Sequence, residues 1–192
     1  VGRRKRERAV SKTDAAGPHK LGEGTLNVLG YGASNSQGPA CSGHPKTIGS
    51  PRRAALALAQ GVDHIDTSDF YGPHVTNQLI REALHPYSDD LTIVTKIGAR
   101  RGADKSWIPA YEPAELTAAV HDNLRNLGLD ALDVVNLRIM FDTHGPAEGS
   151  IEAPLAVLAE LQRQGLVRHI GLSNVTPVQI AEGRRMVEIG CV

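Results

Sequence analysis

From about Lys20 onward, short apolar runs alternate with segments of helical period, separated by Gly, Pro and Ser. Leu21–Ala33 (LGEGTLNVLGYGA) alternates apolar and polar positions around Gly22 and Gly24. That pattern predicts a short hairpin running into a first strand that ends at Gly30, Tyr31 and Gly32. Residues 34–49, rich in Ser, Gly and Pro, read as a long loop, a kind that is usually functional or mobile. Ser50 and Pro51 supply an N-cap and a first helical residue, Ala54, Leu56, Ala57 and Leu58 form an apolar face, and Gly61 stops the helix. Val62–Asp66 is a strand, and Val75 to about Leu84 is an amphipathic helix ended by His85-Pro86. Leu91–Lys96 (LTIVTK) is a buried, β-branched strand. Glu112-Pro113 opens a helix with Leu116, Ala119, Val120, Leu124 and Leu127 at helical spacing, closed by Gly128. Leu132–Leu137 is a strand, Pro154–Gln164 a helix closed by Gly165, and Val167–Leu172 a strand. Thr176-Pro177 opens a last helix, and Ile189–Val192 begins one more strand.

Strict β-α alternation predicts an α/β fold with a parallel sheet, because parallel neighbours need long crossovers that helices supply. A closed (β/α)8 barrel and an open doubly wound sheet both satisfy it. Dinucleotide-binding doubly wound sheets carry G-x-G-x-x-G between the first strand and its helix. Here the first strand ends in GYGA and a long loop follows, which favours the barrel. A complete TIM barrel takes ~250 residues, and this chain has 192. The expectation is therefore an incomplete (β/α)8 TIM barrel over residues 19–192, about five of eight units plus an N-terminal hairpin. Residues 1–18 are expected to be a disordered basic tail.

Composition narrows the function classes. Lys plus Arg equals Asp plus Glu at 21 each, so net charge gives no case for nucleic acid or an anionic membrane as partner. Hydrophobic residues make up 41%, enough for one core, and no apolar run is long enough to span a bilayer. Cys41 and Cys191 lack paired spacing, which argues against a disulfide framework or zinc ribbon and fits the cytoplasm. The eight histidines show neither HxxH nor HExxH spacing, so no metal is expected. VGRRKRER at the start has no apolar segment behind it, unlike an export signal, and reads as a solvated tail, with nucleic-acid contact as the alternative. A first residue of Val suggests an alternative start codon or a fragment.

In a barrel of this kind the active site lies at the C-terminal strand ends. Read in order, those ends present Gly30, Tyr31 and Gly32; Asp66, with Tyr71 five residues later; Lys96; Arg138; and Ser173 with Asn174. Charged residues that terminate apolar strands are costly unless paired, so three in one ring suggest a constellation. A phenol is a poor proton donor at neutral pH, and an adjacent ammonium favours the phenolate. Asp66 can hold Lys96 in place, which makes Tyr71 a usable general acid for an oxygen gaining negative charge, such as a carbonyl receiving hydride. Ser173 and Asn174 could hydrogen-bond an amide.

HIDTSDFYG (His64–Gly72) with LIREAL (Leu79–Leu84), IVTKIG (Ile93–Gly98), NLRNLGLDALDVVNLR (Asn123–Arg138) and GLVRHIGLSNVTPVQI (Gly165–Ile180) resemble, in order, the signature segments of the aldo-keto reductases. The resemblance covers about Leu21 to Val192. It implies an NADP(H)-dependent oxidoreductase reducing an aldehyde or ketone, with Asp66, Tyr71, Lys96 and Arg138 catalytic. It also implies cofactor contacts from Gly30, Tyr31, Gly32, Asp66, Ser173 and Asn174, and a small-molecule carbonyl substrate. Two departures stand out. Arg138 occupies a position that is usually His in the family; arginine stays charged and cannot donate its proton, but it can hydrogen-bond a substrate oxygen. Arg in DVVNLR resembles a bacterial subgroup close to pyridoxal reductases, which implies pyridoxal as substrate. The family's later segments, which bind the pyrophosphate and the adenosine 2′-phosphate, are absent from the sequence, which reads as a C-terminal truncation.

Other readings stay open on the sequence alone. Asp66 and Lys96 could be a structural ion pair, Tyr71 a packing residue, Arg138 a salt-bridge partner and Ser173-Asn174 a capping turn. Trp107 could line a pocket or sit exposed in its loop, and His144 reads as a polar loop residue. A strand-end lysine could serve a Schiff-base aldolase. The chain could also be a non-catalytic binding or regulatory protein of the same fold. Oligomeric state is not legible.

Overall fold

The computed structural model describes residues 18–21, 24–27, 30–33 and 50–192 except 73, 105 and 143. The expected tail (residues 1–17 of it) and the long loop over 34–49 lie outside the described residues.

The hairpin forms as the alternation predicts. β1 (Pro18–Leu21) pairs antiparallel with β2 (Gly24–Asn27), with Leu21 opposite Gly24. Six parallel strands then make one sheet: β3 (Tyr31–Gly32), β4 (His64–Asp66), β5 (Thr92–Ile97), β8 (Leu132–Arg138), β9 (Val167–Ser173) and β10 (Ile189–Cys191). Every neighbour in the sheet is the next of these strands along the chain. A doubly wound sheet reverses its order at a switch point; this one never does. It is the winding of a (β/α)8 barrel, of which five β/α units and a sixth strand are described.

Five helices supply the crossovers: α1 (Ser50–Ala59), α2 (Val75–Leu84), α3 (Pro113–Leu127), α4 (Glu152–Arg163) and α5 (Pro177–Met186). Their ends follow local chemistry. Glu112 and Glu115 form a reciprocal capping box before α3, and Gly128 ends it at φ 71°, its N–H bonded to the Leu124 carbonyl at 2.8 Å. Thr176 and Gln179 cap α5 the same way, and the buried Gln179 amide also donates to the Ala147 and Gly149 carbonyls. One cap therefore starts a helix and anchors the segment that follows β8.

Strand alternation divides the sheet into two faces. Ile93, Ile97, Val135, Leu137, Ile170 and Leu172 join the helix-facing core with Leu116, Val120, Leu124, Leu155 and Leu158. The alternate positions of β5, β8 and β9 present Val94, Lys96, Asn136, Arg138, Gly171 and Ser173 to the other side. Among the described residues no helix is long and apolar enough to cross a membrane.

Two local features differ from the sequence expectation. The segment after the third barrel strand folds into a second hairpin, β6 (Ala99–Arg101) with β7 (Trp107–Pro109). α4 begins two residues early, placing Pro154 in its first turn, where no intrahelical N–H is required.

Candidate active site

β4 and β5 end side by side, with Asp66 in register with Val94, two residues before Lys96. That stagger brings the Lys96 Nζ onto the Asp66 Oδ1, and the ammonium also donates to the Thr67 carbonyl at 3.1 Å. The Lys96 side chain is only 9% exposed, against 49% for Asp66. The cation is thus the desolvated partner and depends on both acceptors. The turn after β4 folds back so that the Tyr71 ring centroid lies 5.6 Å from Nζ. Tyr71 is held by its backbone: its N–H donates to the Ser68 carbonyl, and its carbonyl accepts from the Thr76 hydroxyl at 2.7 Å.

Arg138 and Ser173 are in register at the ends of β8 and β9, and the guanidinium donates to Ser173 Oγ at 3.3 Å. Asn174 takes a left-handed conformation, φ 58°. Its Nδ2 donates to the Ile139 carbonyl at 2.6 Å and the Gly145 carbonyl at 3.3 Å. Its Oδ1 accepts no bond from the described residues, and the Ser173 hydroxyl retains its proton for donation, so together they fit a carboxamide. Gly32 pairs with Asp66 across β3 and β4, and a Cβ there would meet open space. Gly30 is different, because a Cβ would overlap the His64 ring. Close approach, not an unusual φ, accounts for Gly30; neither constraint applies at Gly32.

Six of the predicted residues fall into two groups at the C-terminal ends of the strands, whereas Tyr31, in register with Ile65, packs against the core and Gly30 stands beside His64. Asp66, Lys96 and Tyr71 form one, Arg138, Ser173 and Asn174 the other. Arg138 lies two residues, about 6.6 Å, further along β8 than Asn136, the register partner of Lys96.

Three contributors escape the motif reading. Asn136 lies in the row Lys96–Asn136–Gly171, and its Oδ1 accepts from the Cys191 thiol at 3.1 Å. Burial and the nearby Asp66 charge push the Cys191 thiol up, and Lys96 pulls it down, so β10 reaches the same electrostatic neighbourhood. Tyr111 is the third. Its hydroxyl accepts from the Met140 N–H and lies 3.5 Å from the Arg138 carbonyl, fixing the exit of β8. Burial raises its phenol, opposed by the Met140 hydrogen bond and the Arg138 charge. Only Asn136 leaves a sequence signal: an amide two positions before Arg138 in an apolar strand. Trp107 packs on Phe70 at 6.1 Å, edge to face, with the Arg101 guanidinium 3.7 Å from its centroid, so it is neither a bare loop aromatic nor isolated. His144 is exposed and pairs with Asp142 at 3.1 Å. Asp69, His74 and Asp122 bring possible metal ligands within 4.8 Å of one another. Those carboxylates already accept from Asn77, Asn126 and Arg125.

Asp66, Lys96 and Arg138 at strand ends, with Tyr71 in the turn after β4, thus stand on a singly wound parallel sheet. The aldo/keto reductase family model matches residues 29–192, and the chain belongs to that family. It is 69% identical over 178 residues to the pyridoxine 4-dehydrogenase of Escherichia coli (strain K12), covering 90% of this chain and 61% of that protein. It is 34% identical to an uncharacterised oxidoreductase of Schizosaccharomyces pombe, covering 92% and 57%. Among solved structures it resembles the glycerol dehydrogenase of Gluconobacter oxydans, with a TM-score of 0.77 at 22% identity, covering 92% of this chain and 54% of that one. The chain thus spans a little under two thirds of the length of the curated relatives it matches.

Proposed function

We propose that this chain carries the proton-donor half of an NADP(H)-dependent carbonyl reductase that interconverts an aldehyde or ketone with its alcohol. The observation that carries the proposal is the Lys96 ammonium, held on Asp66 and the Thr67 carbonyl beside the Tyr71 ring. Tyr71 donates its phenolic proton to the carbonyl oxygen as that oxygen gains charge. Lys96 stabilises the phenolate left behind, and its two acceptors keep the ammonium fixed so that no reorganisation is needed at the moment of transfer. Arg138, permanently charged, donates a hydrogen bond to a substrate oxygen where the family usually has His. The nicotinamide, when bound, supplies the hydride. Ser173 and Asn174 offer a donor and an acceptor for its carboxamide, and in this reading Gly30, Tyr31, Gly32 and Asp66 add further cofactor contacts, Gly32 standing in register with Asp66.

The 69% identity to a pyridoxine 4-dehydrogenase supports pyridoxal and pyridoxine as the substrate pair. Residues 19–192 form one domain in this reading, acting on a small molecule in the cytoplasm. The test is NADPH consumption in the presence of pyridoxal, compared with NADH. Tyr71→Phe should lower kcat by about 10²–10⁴-fold with NADPH affinity, read by cofactor fluorescence, unchanged. A Tyr71→Phe variant that keeps the parent rate sinks the assignment.

A further inference from the structure

We propose that Asn123 and Thr95 are positioning residues that aim Lys96 at its acceptors from the opposite face of the sheet, an inference that rests on the reductase reading above. Asn123 is fully buried on α3, and its Oδ1 accepts two bonds, from Thr95 Oγ1 at 2.5 Å and from Asn77 Nδ2 at 2.8 Å. Its own Nδ2 donates to the Ala119 carbonyl one turn earlier. Asn77, on α2 and equally buried, uses its Oδ1 to accept from Thr67 Oγ1 at 2.8 Å. One hydrogen-bonded chain therefore runs Thr67–Asn77–Asn123–Thr95 through four elements or their junctions.

The ends of that chain matter. Thr95 is the residue before Lys96, and Thr67 is the residue after Asp66 and gives Lys96 its second acceptor. Because side chains alternate across a strand, a Thr95 tethered to α3 sets where Lys96 points on the other face. A Thr67 tethered to α2 sets where its own carbonyl stands. A further branch reaches the Tyr71 turn. Asp69 accepts from Asn77 at 3.3 Å and from Asn126 at 2.9 Å, and it pairs with His74 at 2.6 Å. All four members of the main chain are sealed from water, so a lost partner cannot be replaced by solvent and the network holds one arrangement.

The test uses Thr95→Val, which keeps the shape and removes the hydroxyl, with Thr95→Ser as the conservative rescue. Thr117→Val, on the exposed side of α3, is the control. The first readout is independent of turnover: the rate at which a small acylating reagent labels Lys96, followed by peptide mass spectrometry. It should rise about threefold in Thr95→Val as the ammonium escapes its acceptors, return to the parent rate in Thr95→Ser, and stay unchanged in the control. The second is steady-state kinetics, where Thr95→Val should lower kcat about tenfold with KM for NADPH unchanged. Should Thr95→Val not fold, Thr95→Ala, which cannot overfill the site, must give the same labelling change. Equal Lys96 labelling in the folded variant and the parent overturns the proposal. Altered labelling in a chain that turns over no aldehyde or ketone, pyridoxal included, leaves the positioning role standing and removes the reductase reading instead.

Discussion

A methyl group added at Gly171 would overlap the Asn136 Oδ1 and lie 2.5 Å from the Cys191 Sγ. Both atoms belong to side chains on the sheet's inner face, and Asn136 is held by Cys191, so neither swings away freely. The glycine is what admits an amide beside Lys96. Gly171→Ala should therefore destabilise the fold by about 1–3 kcal/mol, read by urea unfolding. In an Asn136→Ala background the cost should shrink, because the overlapping oxygen is gone. Equal costs in the two backgrounds would mean that the crowding lies elsewhere. The pairing of a glycine with an asparagine across two strands is invisible to any motif, since it depends on register.

At the scale of elements, the connection between α2 and β5 is tied to the end of α3 by Tyr87, whose hydroxyl donates to the Leu127 carbonyl at 2.7 Å. That carbonyl is one of the last of its helix, which has no intrahelical donor. Burial raises the Tyr87 phenol to about 12, partly opposed by the Arg81 charge. An acid whose pKa is higher folded than unfolded stabilises the fold below the unfolded value, about 10, and that contribution is lost as pH climbs through the folded value. Melting temperature should fall between about pH 10 and 12 through this group. Tyr87→Phe should flatten that limb and lower stability at neutral pH by about 0.5–1.5 kcal/mol for the lost hydrogen bond. An unchanged alkaline limb would remove Tyr87 from the account.

Over the whole molecule, one apolar layer joins the outer face of the sheet to the helices. Leu155 of α4 is fully buried there, and Gly183 of α5 brings the helix backbone close to Leu155, Ile151 and Leu172. Leu155→Ala should cost about 2–5 kcal/mol, with the urea midpoint lowered and the m-value retained if the sheet and helices unfold as one unit. A changed m-value would point to separate unfolding of the later units. The inner face differs: beside the buried Val94 and Val134 it carries Lys96, Asn136, Arg138, Gly171 and Ser173.

The order of strands and helices was legible because each crossover helix has its own 3.6-residue pattern and each strand its own apolar run, both local properties. Asp66, Lys96 and Arg138 were legible as candidates because charged groups at apolar strand ends stand out against their neighbours, and Tyr71 because it follows Asp66 closely in the next turn. Even the choice of barrel over doubly wound sheet followed from a missing glycine motif, and the sheet order bears it out. What the sequence could not determine is lateral. The β6–β7 hairpin has strands of three residues, too short for period two to register. Asn77, Asn123 and Thr95 look like ordinary polar residues until α2, α3 and β5 meet. The opening feature of the chain, short apolar runs alternating with segments of helical period, determined by itself the order of strands and helices and the apolar face of the helices. Only the tertiary structure decided which faces meet and which hydrogen bonds close across them, because register between strands and packing between helices are set by residues far apart in the chain.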